Sequence, residues 1–89
     1  GGGSDDDVLV LADSRPALVG DLLDQIKTGD VIACADPIEG PDYNPTAAAV
    51  IWKPPYRTPA LVSHAHGIVT QYKFARFTPF AIEIRGALA

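Results

Sequence analysis

The prolines restrict this chain to short ordered elements. Six of its eight prolines fall in two segments: residues 36–46 hold three prolines and one glycine, and residues 53–59 hold three more. Proline has no backbone N–H to donate to a sheet and it breaks the interior of a helix, so both segments are predicted to be loops. The second loop is predicted to be stiff, because each proline ring fixes its own φ.

The apolar pattern outside these loops predicts several short strands and one helix. Apolar residues recur at helical spacing from Leu18 to Ile26, with Ser14 placed to cap and Pro16 suited to the first turn, which predicts a helix over 16–27. Residues 71–77 fit either a strand or a helix. Strands are predicted at 8–11, 31–35, 47–52, 60–69 and 80–85. The expected fold is therefore α+β, a small single domain of short β-strands with one short helix and proline-rich loops.

The amino terminus differs in composition from the rest of the chain. Residues 1–7 contain three glycines and three aspartates and no apolar side chain, so this stretch is predicted to be a flexible arm in isolation. Residues 8–89 form the predicted globular domain, since 89 residues suffice for one modest core and not for two. A domain of this size is only marginally stable alone, which favours association with a partner.

The charge distribution indicates which kinds of partner the chain can bind. The net charge of −4 disfavours nucleic-acid binding, which needs a surplus of Lys and Arg on one face. Ten of the eleven carboxylates precede residue 43, whereas five of the seven Lys and Arg follow it. The two halves can attract each other within one fold, or attract the opposite halves of neighbouring copies, as in a head-to-tail ring. No apolar run approaches the ~20 residues that span a bilayer, so no membrane contact is expected.

The two histidines, His64 and His66, are the candidate metal ligands. On the predicted strand over 60–69 they share a face, as zinc-binding His-x-His pairs do. A third ligand would have to come from Cys34, Asp36, Glu39 or Asp42. Nothing in the sequence brings these residues together, and same-face histidines on a half-exposed strand are more often plain polar residues. No metal site is predicted.

Catalysis is not predicted either. Ser63 and His64 are neighbours on the predicted strand and so point to opposite faces. Cys34 lies in an apolar strand, where a thiol packs as a small core residue, and as the single cysteine it has no disulfide partner in the chain. Neither a G-x-S-x-G turn nor a phosphate-binding glycine-rich loop occurs. We expect a protein that is not an enzyme and binds no cofactor.

The first segment predicted to contact another protein follows the amino-terminal arm. Asp7 leads into an apolar run without alternation, which consists of Val8, Leu9, Val10 and Leu11. A strand that follows a disordered arm can add itself to an exposed sheet edge of a partner. These five residues are therefore predicted to form a binding arm.

The second predicted contact segment is the stiff proline loop and its borders. It combines two aromatic side chains, an arginine and a Pro-Pro pair, namely Trp52, Pro54, Pro55, Tyr56 and Arg57. Aromatic residues and arginine are enriched among the buried anchors of protein interfaces. This loop is therefore predicted to lie in a contact between subunits.

Several short motifs between residues 8 and 87 form one pattern. They read LADSRP at 11–16, IKTGDVIA at 26–33, AAAVI at 47–51, PALV at 59–62 leading to HGIV at 66–69, and IEIRGA at 82–87. The pattern resembles that of the lambda-type head decoration proteins of tailed bacteriophages. The resemblance implies a non-enzymatic virion protein, made in the host cytoplasm, that sits as a homotrimer on an expanded capsid. It would clamp neighbouring subunits of the major capsid protein, and its amino-terminal arm would order on the shell.

A second resemblance belongs to a different class of protein. The segments GDVIA at 29–33, Pro41-Asp42, 47–51 and Ser63-His64-Ala65 resemble the mobile phosphohistidine domain of phosphoenolpyruvate-utilising enzymes. In that family a histidine at the start of a helix carries a phosphoryl group, which would be His64 here. The paired glycines expected just before that histidine are absent. A strand after His64 favours the decoration protein, and a helix favours the phosphoryl carrier.

Overall fold

The computed structural model describes residues 4–77, which form six strands, one α-helix and two single turns of 3₁₀ helix. In chain order these are β1 (Val8–Val10), β2 (Pro16–Leu18), α1 (Val19–Gln25), β3 (Val31–Cys34), β4 (Ala48–Ile51), β5 (Ala60–Ser63) and β6 (Thr70–Tyr72), with the 3₁₀ turns at Ala65–Gly67 and Ala75–Phe77. The predicted α+β fold is confirmed. The strand predicted at 80–85 lies outside the described residues.

Strands β3 to β6 form an antiparallel meander in which each strand pairs with the next along the chain. One end of this sheet, called here the Cys34 end, is formed by residues that pair across neighbouring strands, namely Cys34, Ala48, Ser63 and Thr70. The other end, called the Val31 end, is formed in the same way by Val31, Ile51 and Ala60. The proline-rich loop 36–46 therefore leaves the sheet at the Cys34 end, and the loop 53–59 leaves it at the Val31 end.

Strands β1 and β2 form a separate antiparallel hairpin in which Val8 lies opposite Leu18. Beyond β1, Leu11 forms a bridge with Cys34 at the end of β3. The backbone N–H of Ala35 also donates to the carbonyl of Val10 at 2.9 Å. Both edges of this segment are therefore engaged by the domain itself, β2 on one side and the end of β3 on the other.

The core takes side chains from the hairpin, the helix and the meander. Its buried members are Leu9, Leu11, Val19, Leu23, Ile26, Cys34, Ala48, Val50, Leu61 and Phe74. The helix contributes Val19 and Leu23, and its C-cap residue Ile26 continues the same spacing, which puts side chains on one face. The two central strands of the meander, β4 and β5, are the most buried, whereas most residues of β3 and β6 are exposed or partly buried.

The helix is shorter than predicted, because its expected first turn belongs to the hairpin. Residues 16–18 pair with β1, and α1 begins only at Val19. Ser14 does not cap the helix; it has a φ of 68° in the turn between β1 and β2, where its N–H donates to the carbonyl of Leu11. The predicted helix over 16–27 was therefore wrong at its start, because cross-strand pairing outweighed a local helical pattern.

The strand predicted over 60–69 was also wrong in its second half. β5 ends at Ser63, and the chain then makes the 3₁₀ turn and returns as β6. His66 and Gly67 have φ values of 59° and 72°, a left-handed pair that reverses the chain direction. The glycine was the available signal of this reversal, since glycine is the residue that adopts positive φ without strain.

Residues 4–7, the described part of the predicted arm, form a turn against the start of the helix. The N–H of Val19 donates to the carbonyl of Asp7 at 2.8 Å, and the N–H of Gly20 donates to the carbonyl of Asp5 at 3.0 Å. These bonds satisfy two of the unpaired donors of the first helical turn, which has no side-chain cap. A Cβ at position 20 would lie 3.1 Å from the Cβ of Asp5, so glycine permits this close approach.

Arg76 ties this turn to the helix from the other end of the described chain. Its guanidinium contacts Asp5 at 2.8 Å and Asp24 at 2.7 Å. We expect Arg76→Gln to loosen the turn and to speed amide hydrogen exchange at Val19 and Gly20, because both carboxylates lose their cation. Arg15→Gln is the matched control, since Arg15 is an exposed arginine in the turn between β1 and β2. Equal exchange at positions 19 and 20 in both variants would contradict this role of Arg76.

Candidate functional site

A buried carboxylate organises the Cys34 end of the sheet. Asp36 is 4% exposed and lies two residues after β3. Its Oδ1 accepts hydrogen bonds from the N–H groups of Ile38 at 2.8 Å and Glu39 at 2.9 Å, and its Oδ2 accepts one from the hydroxyl of Ser63. Ser63 Oγ in turn accepts the N–H of Ala65 at 3.2 Å. One side chain thus fixes both the 36–46 loop and the turn after β5.

His66 joins these two loops a second time. Its backbone N–H donates to the hydroxyl of Tyr43 at 2.7 Å, and the two rings lie 4.7 Å apart between centroids. Its Nε2 lies 2.5 Å from Oε1 of Glu39. These contacts fix the position of the two loops relative to each other.

The geometry on which the His-x-His metal site depended is absent. His64 follows β5 and His66 occupies the reversing turn, so the two do not share the face of a strand. The four suggested third ligands include Asp36, which is occupied by three hydrogen bonds, and the fully buried Cys34. Within residues 4–77 no group of three His, Cys, Asp or Glu side chains is arranged to hold a metal ion.

The two central nucleophiles are both held in structural roles. Ser63 is 1% exposed and its hydroxyl donates to Asp36 rather than to a histidine. Burial, together with the negative charge of Asp36, raises the pKa of Cys34 to about 11, so the thiol is protonated at neutral pH. Neither residue is therefore activated as a nucleophile by the groups around it in the described part of the chain.

The ionisation of Asp36 contributes to stability. Burial raises the pKa of Asp36, but the hydrogen bonds from Ser63 and from the backbone of Glu39 and Ile38, together with the charge of His66, outweigh it and hold the pKa below its ordinary value of 3.8. A carboxyl with a lowered pKa stabilises the fold above its unfolded pKa, and that stability is lost as the pH falls through the folded value.

We therefore expect the free energy of unfolding to fall below pH 3.8 in part because Asp36 takes up a proton. Urea unfolding between about pH 6 and pH 2 measures this dependence. Asp36→Asn should flatten the acid limb of the curve, whereas Asp42→Asn, in the same loop and exposed, should leave it unchanged. An acid limb of equal slope in Asp36→Asn and in the unmodified protein would show that other carboxyls carry it.

The two segments joined by Asp36 and His66, residues 36–46 and 64–69, carry exposed apolar side chains. Ile38 is 77% exposed, Ile68 65%, Val69 66% and Tyr43 44%. We call these four residues the apolar tip. The sequence predicts Ile68 and Val69 inside a strand, whereas the structure places them just after the turn that His66 joins to Tyr43 and Glu39 of the 36–46 loop. Exposed apolar residues in a group on ordered loops are typical of protein contact sites.

A cleft of about 430 Å³ lies towards the Val31 end of the sheet. Its lining includes the aromatic side chains Tyr56, Phe74 and Phe77 and the cations Arg57 and Lys73. No carboxylate of the described part of the chain lines it. We call it the cationic cleft. Phe74 reaches it from the core, and the proline loop forms one wall.

Only some of the five residues predicted for a subunit contact line the cationic cleft. Pro55, Tyr56 and Arg57 line the cationic cleft, which brings three of the five together. Trp52 is partly buried against the core, and its indole N–H donates to the carbonyl of Arg57 at 3.2 Å. Pro54 is exposed in the turn and is not among the lining residues. Trp52 therefore stabilises the conformation of the loop and exposes little surface for a subunit contact.

The residues predicted to form a binding arm lie mostly within the domain. Leu9 and Leu11 are core residues, and Val10 accepts a hydrogen bond from the chain beyond β3. Asp7 belongs to the turn that meets the helix. Val8 is the exception, with 56% of its surface exposed beside the exposed Leu18 on β2. Binding a partner through the whole run would require unpairing β1.

The chain matches no protein-family model, and comparisons with curated proteins and with solved structures also give no match. Within residues 4–77 no helix is both long and apolar enough to cross a membrane. Functional inference therefore rests on the residues and on the geometry described above.

Proposed function

We propose that this protein is a non-enzymatic capsid decoration protein, which binds the outer surface of an expanded phage head and stabilises it as a homotrimer. The observation that supports this most directly is the display of exposed apolar side chains on a small, firmly connected domain. Val8 with Leu18 forms one such group and the apolar tip forms another. Surfaces of this kind suit a subunit that is completed by its neighbours.

The proposed contact with the major capsid protein is narrower than an entire arm. Val8 offers its side chain outward while its neighbour Leu9 holds the core, so Val8 and Leu18 can contact a shell without disturbing the fold. The residues before Val8 carry the aspartates. The proposed shell-binding face therefore consists of the amino-terminal turn and the exposed side of the hairpin.

Stabilisation would follow from mass action. A protein that binds the expanded shell and not its precursor shifts the equilibrium toward the expanded form by the free energy of binding at the working concentration. No chemical step is required of the chain. The engaged states of Ser63 and Cys34 are consistent with such a role.

The phosphohistidine alternative depends on a helix that begins near His64. The chain there makes a three-residue 3₁₀ turn and then enters β6 at Thr70. Three residues with a left-handed reversal do not provide the aligned N–H groups that a helix start offers to a phosphoryl group. The geometry of this turn does not favour the alternative.

The proposal is tested by sedimenting the protein with expanded heads and with precursor heads of the phage that encodes it. We expect binding to the expanded heads alone, and a loss of at least about tenfold in affinity for Val8→Asp, because a charge would enter an apolar contact. Val31→Asp is the matched control, since Val31 is a 50% exposed valine at the start of β3, whereas the hairpin segment meets the other end of that strand at Cys34.

Two results would contradict the proposal. One is the absence of binding to expanded heads by a folded protein. The other is a phosphoryl group on His64 after incubation with phosphoenolpyruvate and the enzyme's other domains. Light scattering of the free and shell-bound protein would show separately whether it is a trimer.

A further inference from the structure

The two ends of the meander differ in the charge of their exposed side chains. The Cys34 end presents the apolar tip together with the carboxylates of Glu39 and Asp42. The segments that form this end, residues 35–47 and 64–69, contain no Lys or Arg. Glu39 is engaged by His66, whereas Asp42 is exposed and makes no ion pair with any of residues 4–77. This end is thus apolar with an acidic border.

The cationic cleft has the complementary character. Its aromatic residues provide an apolar floor, and Arg57 and Lys73 provide positive charge. Neither cation forms an ion pair with a carboxylate in the described range of 4–77, in contrast to Arg76, which has two. Among residues 4–77, the lining includes no carboxylate that would neutralise them. This surface therefore favours an occupant with apolar side chains and a negative border.

The apolar tip and the cationic cleft of one copy cannot contact each other. Asp42 extends from the loop at the Cys34 end, whereas Lys73 follows β6 at the Val31 end. The four residues of β5 separate the two ends by about 10 Å at the usual rise of ~3.3 Å per residue. The Asp36 and His66 contacts also hold the tip in place, so it cannot fold back to the cleft.

We propose that the apolar tip of one copy docks into the cationic cleft of the next, in a head-to-tail contact that pairs Asp42 with Lys73 and Arg57. The proposal rests on the self-association contained in the proposed function and identifies the two surfaces that would make it. Such a contact joins different patches on the two partners, so it closes into a ring of three copies when the rotation between copies is about 120°. Because the tip is already ordered, little loop entropy would be lost on docking.

A second copy fits the cleft better than an unrelated partner because the complementary surface is present on the same chain. The apolar groups would be buried in the centre, and the opposite charges would meet at the border, as in protein interfaces in general. Border charges mainly set orientation and salt dependence. Association should therefore weaken as salt is added and should not vanish.

Charge reversal in the full-length protein tests the contact. Sedimentation velocity over a concentration series should show Lys73→Glu and Asp42→Lys each associating at least about tenfold more weakly than the unmodified chain, because like charges then face each other. The double variant, Asp42→Lys with Lys73→Glu, restores opposite charges and should recover most of the association. Arg15→Glu has the same change in net charge as Lys73→Glu but lies in the turn between β1 and β2, so it should associate normally.

Four outcomes would overturn the contact. Equal weakening by Arg15→Glu would assign the effect to net charge, and a double variant that stays dissociated would reject the pairing. A chain that is monomeric alone, and whose Lys73→Glu variant loses binding to expanded heads instead, would make the shell the occupant of the cleft. If the protein is a trimer that binds shells and none of these charge substitutions weakens its association, the proposed contact is wrong but the decoration function is not contradicted.

Discussion

Leu9→Ala should lower the free energy of unfolding by about 2–5 kcal/mol, the usual cost of removing a buried leucine side chain. Leu9 is 4% exposed and packs with side chains from the helix and the meander. Alanine would leave a cavity between these elements and remove the hairpin's main contribution to the core. The free energy of unfolding from urea titration measures the effect.

Val8→Ala is the control for this experiment, because Val8 is the preceding residue of β1 and is 56% exposed. Its effect on stability should stay within about 0.5 kcal/mol. The pair separates the two roles of the strand, since Val8 would act on shell binding and Leu9 on folding. A Leu9→Ala variant of unchanged stability that fails to bind shells would mean that β1 acts as a detachable arm after all.

Asp36→Ala should destabilise the protein by about 3 kcal/mol. The substitution removes the acceptor of three hydrogen bonds, and the hydroxyl of Ser63 is left in a buried site. Hydrogen bonds to a charged group contribute about 1.5–3 kcal/mol each. Water can partly replace the carboxylate at the two partly buried N–H groups, so the individual values do not simply add. Thermal and urea unfolding would both report the loss.

Asp42→Ala provides the comparison within the same loop, and its exposed side chain predicts a change within about 0.5 kcal/mol. Ser63→Ala in the Asp36→Ala background should cost little more, because the two groups serve each other. Additive losses in the double variant would contradict the coupling between them. Faster amide exchange at Ile38 and Glu39 in Asp36→Ala would show that the loop itself has loosened.

The loops and most strands were predictable because their signals are local. Proline excludes ladder hydrogen bonds wherever it occurs, so loops 36–46 and 53–59 followed directly from it, and the apolar runs around Val31, Val50 and Leu61 predicted β3, β4 and β5. The candidate site was predicted only in part. The sequence predicts Pro55, Tyr56 and Arg57 as contact residues, and they line the cleft. The other lining residues Lys73, Phe74 and Phe77 are distant from them in sequence and were not predicted.

The composition of single segments determined, without any structure, that the chain would be an α+β domain of short elements with two proline-rich loops. Only the tertiary structure decided that residues 16–18 pair with β1, that Leu9 and Leu11 belong to the core, and that Asp36 joins Ser63 across 27 positions. The physical reason is the range of the interactions. A proline acts on its own residue and its neighbours, whereas strand pairing, burial and a shared carboxylate depend on groups that meet only when the whole chain has folded.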